Sequence, residues 1–250
     1  MLLGFGIGLD EVLRASANGF LDTLIAVIVI MLLGIIVGKA LKLEKNTALL
    51  IASGTAICGG SAIAAVAPIL NSKNNQISLA LGIVFVLNAV SLFIFPTLGE
   101  WLGLSQEVFG NWVAIAIHDT SSVVGAASVY GEEALWTATT IKLVRTLWII
   151  PLALTLAFTV GKENKNKIKI PWFILYFIIA ILLATYLPFE DSVFSTLSSS
   201  GKRLMVVALF FIGNSISLSN IKESGPKGFL LGIILWVIAA TGSLIYLTSS

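Results

Sequence analysis

The stretch Ala114-Ile115-Ala116-Ile117-His118-Asp119-Thr120-Ser121-Ser122-Val123-Val124-Gly125-Ala126-Ala127 carries the only histidine of the chain, beside an aspartate and three hydroxyls and between apolar flanks. In water such a stretch is an ordinary loop or cap. In lipid it is expensive, because ionisable side chains and broken backbone find no hydrogen bonds there. Its meaning depends on the solvent in which the chain folds.

Composition decides the solvent. Of 250 residues, 57% are hydrophobic and only 11% are charged, and the mean hydropathy is +1.00. A soluble domain has about a quarter of its residues charged, so this chain cannot cover its surface with ions. Apolar runs of about 20 residues, the length that spans a bilayer, recur along it. The chain reads as an all-α polytopic membrane protein, one transmembrane domain over residues 1–250. The single Cys58 excludes an internal disulfide. Residues 1–9 have no basic region before them and no cleavage site after them, so they do not read as a cleavable signal.

Outward from 110–131, eight hydrophobic segments are expected, at 21–39, 47–70, 75–98, 110–131, 135–160, 171–188, 204–218 and 229–247, with 1–15 the remnant of a preceding helix. Two are interrupted helices. Segment 47–70 is broken by Ser53-Gly54-Thr55-Ala56-Ile57-Cys58-Gly59-Gly60-Ser61, and segment 110–131 by the opening stretch. Loops 39–45, 162–169 and 222–227 hold most of the lysines and are expected to be cytoplasmic by the positive-inside rule. Loops 99–107 and 131–134 are acidic, as is Glu190-Asp191. If every segment crosses, loop 99–107 falls inside and Lys73 outside. If the two interrupted segments enter and leave on one side, every basic loop is inside and every acidic one outside. Both topologies put the C-terminus outside. Each segment is long enough to span, so crossing, interrupted helices are expected.

Three constellations can carry chemistry. Gly59-Gly60-Ser61, just ahead of an apolar turn, would present free amides at the positive end of a half-helix, as transporters do toward anionic substrates. The same small residues also allow close helix packing. His118 and Asp119, with Thr120 and Ser121, can pair with each other, bind an ion or relay a proton; equally, Asp119 can cap the half-helix that starts at Thr120. Lys142 and Arg145 share one face of a helix near mid-bilayer. They need an anion, and Asp119 or a transported oxoanion is the candidate, the latter suited to the planar fork of arginine. Asn88 and Asn214 read as interhelical hydrogen-bond glue.

No Walker motif, haem motif, zinc-ligand spacing or nucleophile–base triad is present. No cofactor, metal or enzymatic activity is therefore expected. A Ser-His-Asp triad would have to use His118, and Asp119 is badly placed to orient the ring of its own neighbour. Nothing points to nucleic acid; the expected partners are the lipid bilayer, a small inorganic anion and a coupling proton or sodium ion. A homo-oligomer is compatible with the sequence.

Gly54-Thr55-Ala56-Ile57-Cys58-Gly59-Gly60-Ser61-Ala62-Ile63, the run from Ile117 to Ala127, Lys142-Leu143-Val144-Arg145, and Ile170-Pro171-Trp172-Phe173 resemble, in this order, the YeiH family of bacterial inner-membrane proteins. The resemblance runs along the whole chain. It implies a multi-pass protein of the inner membrane that exports sulfate, linked in some members to the breakdown of sulfonates such as taurine. More distantly it implies the cation/proton antiporter and anion transporter superfamily, with inverted repeats and crossed broken helices. Family members carry further helices ahead of the position of Met1, so the chain is expected to be truncated at its N-terminus. A short echo of a repeat joins Gly6-Ile7-Gly8-Leu9 to Ser215-Ile216-Ser217-Leu218.

With the resemblance, the expected function is secondary transport of sulfate or a related small oxoanion. Gly59, Gly60, Ser61, Lys142 and Arg145 are the expected substrate-binding residues, and His118, Asp119, Thr120 and Ser121 the ion-coupling ones. Two other readings stay open. One is a cation/proton antiporter with the cation on Asp119 and Lys142 or Arg145 as displaced counter-charge. The other is a non-transporting membrane scaffold or subunit.

Overall fold

Helices form along the apolar runs and break where small or polar residues interrupt them. The computed structural model describes residues 9–160, 172–186, 192–197, 199–200, 203–204, 207 and 226–249. Its main helices are α1 (Leu9–Ala40), α2 (Lys45–Ala56), α3 (Gly60–Ile69), α4 (Asn74–Trp101), α5 (Gln106–Ala116), α6 (Thr120–Tyr130), α7 (Glu132–Leu147), α8 (Ile149–Val160), α9 (Trp172–Tyr186) and α10 (Pro226–Ser249). Among the described residues all regular structure is helical. The loop at 162–169, Glu190-Asp191, Asn214, most of 204–218 and both partners of the short repeat echo except Leu9 lie outside the described residues.

Among the described residues four stretches are long and apolar enough to cross a membrane: Thr23–Ala40, Asn74–Trp101, Glu132–Thr159 and Pro226–Ser249. The first lies within α1, which continues without a break from Leu9. No separate helix remnant ends near residue 15, because no proline lies between 9 and 40 to stop the helix. Between α7 and α8 the helix is interrupted at Trp148, whose amide turns back to the carbonyl of Arg145 at 3.1 Å. Pro151 lies just beyond, and its missing N–H and bulky ring disfavour a regular turn onto Leu147.

The two interrupted segments do not cross. Asn46, in the first turn of α2, donates from Nδ2 to the carbonyl of Leu70, which ends α3, at 3.0 Å. Gly54 of α2 faces Ile63 of α3, so closely that a methyl there would meet the Ile63 side chain at 2.9 Å. In the second segment Tyr130, at the end of α6, donates to the carbonyl of Leu104, just ahead of α5, at 2.6 Å. Its ring stacks on Phe109 of α5 with centroids 3.7 Å apart. Each segment is therefore a re-entrant helical hairpin, and the expectation of crossing helices is corrected. Arms of 12, 10, 11 and 11 residues, at about 1.5 Å per residue, reach only about half of a hydrocarbon core some 30 Å thick.

The hairpins enter from opposite ends. The α1–α2 turn and the start of α4 lie together, joined by a hydrogen bond from Gln76 Nε2 to Glu44 Oε2. The other end gathers the turn before α5 and the start of α7, where Gln106 Oε1 accepts from the amide of Glu133 at 3.1 Å. Lys39, Lys42, Lys45 and Lys73 are at the first end; Glu100, Glu107, Glu132 and Glu133 are at the second. This is the charge separation that one-sided entry of both segments requires.

The turns into the hairpins repeat. After α1, Leu41 N bonds Val37 O at 2.9 Å, Lys42 N bonds Lys39 O at 3.0 Å and Leu43 N bonds Gly38 O at 3.0 Å. After α4, Leu102, Gly103 and Leu104 make the same bonds to Leu98, Glu100 and Gly99 at 2.9, 3.0 and 3.1 Å. Lys42 and Gly103 both take left-handed backbone, at φ 55° and 63°, as the residue after a helix commonly does. Gly38 and Gly99 occupy equivalent positions, and a methyl on either would come within 2.5 Å of a side chain on the following arm, Ala48 or Phe109. Helix plus hairpin thus occurs twice, and α1 and α4 run in opposite directions. The likeness lies in the order of elements and in the turns, not in the packing: α1 lies against α2, whereas α4 lies against α6.

One apolar core packs around the first hairpin with α4, α8 and α10, and a second around Phe95, Phe109, Trp112 and Val123 of the second unit. The periphery is apolar too: Phe93 is 76% exposed, and Ile36 and Phe158 are each 62% exposed. A surface of this kind suits lipid rather than water.

Candidate functional site

Each hairpin has a tip inside the protein, residues 57–59 in the first and 117–119 in the second. Each tip creates one helix C-terminus and one helix N-terminus, and the last four carbonyls and first four amides of a helix lack intrahelical partners. The two kinds of end are treated differently.

The C-terminal ends are closed by cations. At the end of α2, Ser53 O accepts from Ile57 N and Gly54 O from Gly59 N, at 3.2 and 2.9 Å. Arg145 takes the remaining two, donating from Nε to Ala56 O at 2.8 Å and from Nη2 to Thr55 O at 3.4 Å. The same guanidinium reaches the end of α5, donating from Nη1 to Ile115 O at 2.6 Å and Ala114 O at 3.2 Å. Lys142 donates from Nζ to Ile117 O at 2.6 Å and Ala114 O at 3.2 Å. Both side chains are 0% exposed. A cation at a helix C-terminus meets the negative end of the dipole, and here two cations serve both hairpins. The expected partners of Arg145 were Asp119 or a bound anion; among the described residues its partners are backbone carbonyls instead. The reason is that each helix break exposes acceptors inside lipid, where water cannot satisfy them.

The N-terminal ends open outward. The α3 helix starts after Gly59, at φ 69°, with no side chain capping it. Gly60 is partly exposed and Ser61 exposed. The Ser61 hydroxyl lies 2.9 Å from Cys58 Sγ. In α6, Asp119 is the cap, accepting from the Ser121 amide at 2.9 Å and also from the Ser121 hydroxyl. Thr120 and Ser122 are partly exposed and Ser121 is exposed. The tips touch: a methyl on Gly59 would lie 3.6 Å from both Cα and Cβ of Asp119. The structure therefore brings Gly59, His118, Asp119, Lys142 and Arg145 to one crossing point, with Gly60, Ser61, Thr120 and Ser121 leading from it toward open space.

Asn88 of α4, read from the sequence as interhelical hydrogen-bond glue, has that role at the second tip. Its Oδ1 accepts from the amides of both His118 and Asp119, at 3.1 and 3.2 Å, and so ties the second tip to α4. The only signal in the sequence is a lone amide in an apolar run, which marks any helix contact in a membrane. His118 is 1% exposed, and its two ring nitrogens have no hydrogen-bond partner among the described residues.

The four long apolar spans and two opposed re-entrant hairpins of the described residues, meeting on buried cations, define a polytopic α-helical membrane protein with a polar centre. The chain belongs to the family described as Conserved hypothetical protein 698, whose profile matches residues 1–232. It is 53% identical to a UPF0324 membrane protein of Photobacterium profundum over 245 residues, covering 98% of this chain and 75% of that one. It is 52% identical to a UPF0324 membrane protein of Shewanella oneidensis, covering 98% and 77%. A UPF0324 membrane protein of Bdellovibrio bacteriovorus is 44% identical, covering 97% and 77%. No solved structure matches the chain.

Proposed function

We propose that the chain is a secondary transporter for sulfate or a related small oxoanion, bound where the hairpin tips meet. One observation carries this reading: the uncapped N-terminus of α3 opens beside the capped N-terminus of α6, over two buried cations and the one buried carboxylate among the described residues. The free amides at Gly60 and Ser61 and the exposed hydroxyls of Ser61 and Ser121 suit oxygen atoms bearing negative charge. Lys142 and Arg145 act on that charge through the field they set up, since their donors are directed to carbonyls. His118 and Asp119, with Thr120 and Ser121, couple the anion to a proton or sodium ion.

Inverted hairpins reaching the same depth from opposite ends supply one central site that either end can approach, as alternating access needs. In this reading the protein sits in the bacterial inner membrane with its basic end in the cytoplasm. It is a carrier and not an enzyme.

The test is sulfate flux into proteoliposomes of the purified chain. Saturable uptake above protein-free vesicles supports the proposal. Sodium- or proton-driven exchange that ignores sulfate and depends on Asp119 would instead support a cation/proton antiporter. Folded protein with neither flux would support a non-transporting subunit.

A further inference from the structure

Asn88 is 3% exposed and lies in the middle of α4. The two backbone N–H groups at its Oδ1 fix which way the amide faces, because a reversed amide would set NH2 against two donors. Its Nδ2 therefore points away from both amides. That nitrogen is shielded from solvent and has no acceptor among the described residues. The ring nitrogens of the adjoining His118 are in the same condition. An unmet buried polar group costs about 1–3 kcal/mol, and buried groups in native proteins are nearly always paired. Three unmet atoms on two joined residues, at a hairpin tip, mark a place where something polar binds.

We infer that Asn88 is a ligand-contacting residue with two functions, its Oδ1 holding the tip and its Nδ2 donating to an oxygen of the bound oxoanion. This rests on the oxoanion reading above and adds the substrate class. A singly protonated imidazole offers one donor and one acceptor. The two nitrogens face apart across the ring, so one of them, beside Asn88 Nδ2, matches an oxoanion that keeps one acidic hydrogen, such as hydrogen phosphate, by accepting that hydrogen. A fully ionised anion such as sulfate fits once His118 takes up that proton. In either case the site holds the anion and one proton together.

The variant Asn88→Asp separates the two functions. It keeps an oxygen for the two tip amides and replaces the Nδ2 donor with a second carboxylate oxygen. Binding of sodium phosphate and sodium sulfate to the purified full chain is measured by calorimetry, with thermal unfolding in parallel. N88D is expected to unfold near the wild-type temperature and to lose at least about tenfold in affinity at pH 7, with recovery as the pH is lowered far enough for the introduced carboxyl to gain a proton and become a donor. Should N88D fail to fold, His118→Ala removes the two unmet ring atoms while leaving the Asn88 bonds to the backbone, and is expected to weaken binding similarly. Folded variants that bind both anions as tightly as wild type would make Asn88 a tip cap alone. Wild-type protein that binds neither anion would overturn the oxoanion reading and this assignment with it.

Discussion

Arg145 Nε donates to the carbonyl oxygen of Ala56 at 2.8 Å, across 89 residues of sequence. The bond joins a helix that crosses the bilayer to the end of a helix that stops inside it. With its other nitrogens on the carbonyls of Thr55, Ala114 and Ile115, the guanidinium is the common cap of two hairpins that enter from opposite ends. The opposed tips depend on it.

Arg145→Ala takes the side-chain donor from three carbonyls, those of Thr55, Ala56 and Ile115, while Lys142 still reaches Ala114. At about 1–3 kcal/mol for each unmet group, the loss is a large share of the stability of a typical domain. Arg145→Lys keeps the charge but has no planar fork, and is expected to fall between Ala and wild type. Thermal unfolding in detergent orders the three. Equal stability of all three would show that the carbonyls find other donors.

One-sided entry of each hairpin predicts a labelling pattern. In a Cys58→Ser background, single cysteines at Lys42 and Asn71, which flank the first hairpin, are expected to react with an impermeant maleimide from the same side of the membrane. Cysteines at Gly103 and Glu132, which flank the second, are expected to react from the opposite side. Crossing helices would put Lys42 and Asn71 on different sides.

Close approach of α1 to α2 rests on glycine. A methyl on Gly34 would lie 2.4 Å from Ala52 Cβ, so Gly34→Leu forces the helices apart and is expected to cost about 1–3 kcal/mol or more. Gly242, in the last helix, has nothing within 4 Å of such a methyl. Gly242→Ala is expected to be neutral or to stabilise by up to about 1 kcal/mol through helix propensity. Denaturation of the two variants side by side makes the comparison.

The tip glycines separate in the same way. Gly59 has φ 69°, and a methyl there would meet Val84 at 3.1 Å; around Gly60 the nearest atoms are 3.6 Å away. Gly59→Ala is expected to lower the unfolding temperature through left-handed strain of about 1–2 kcal/mol, while Gly60→Ala is tolerated. Equal effects would mean that the tip relaxes freely.

Much of the fold was legible in the sequence. The spans near 21–39, 75–98, 135–160 and 229–247, both interruptions and the shared face of Lys142 and Arg145 follow from hydropathy and helical spacing. The path of the interrupted segments did not follow, because 24 residues from 47 to 70 are long enough either to cross or to turn back. Asn46 on Leu70 and Tyr130 on Leu104 decide it, and neither contact leaves a periodic trace. Charge in the sequence did not decide it either, because both topologies share the same end-to-end parity; in the structure Lys73 lies at the end that holds Lys39, Lys42 and Lys45, as one-sided entry has it. The partners of Arg145 were hidden for another reason. Pairing by side-chain charge looks for carboxylates, whereas a helix broken in lipid supplies carbonyls. Asn88 looked like glue because its second, unpaired side shows only once the tip is placed beside it.

The most direct test of the opposed tips as an oxoanion site is substrate protection at Ser61, which is exposed beside the uncapped start of α3. In a Cys58→Ser background, Ser61→Cys is treated with maleimide while sodium sulfate or sodium phosphate is raised, with sodium chloride at equal ionic strength as control. The rate of modification is expected to fall saturably with one of the oxoanions and to stay constant with chloride. A rate unchanged by either oxoanion, in folded protein, would contradict the site.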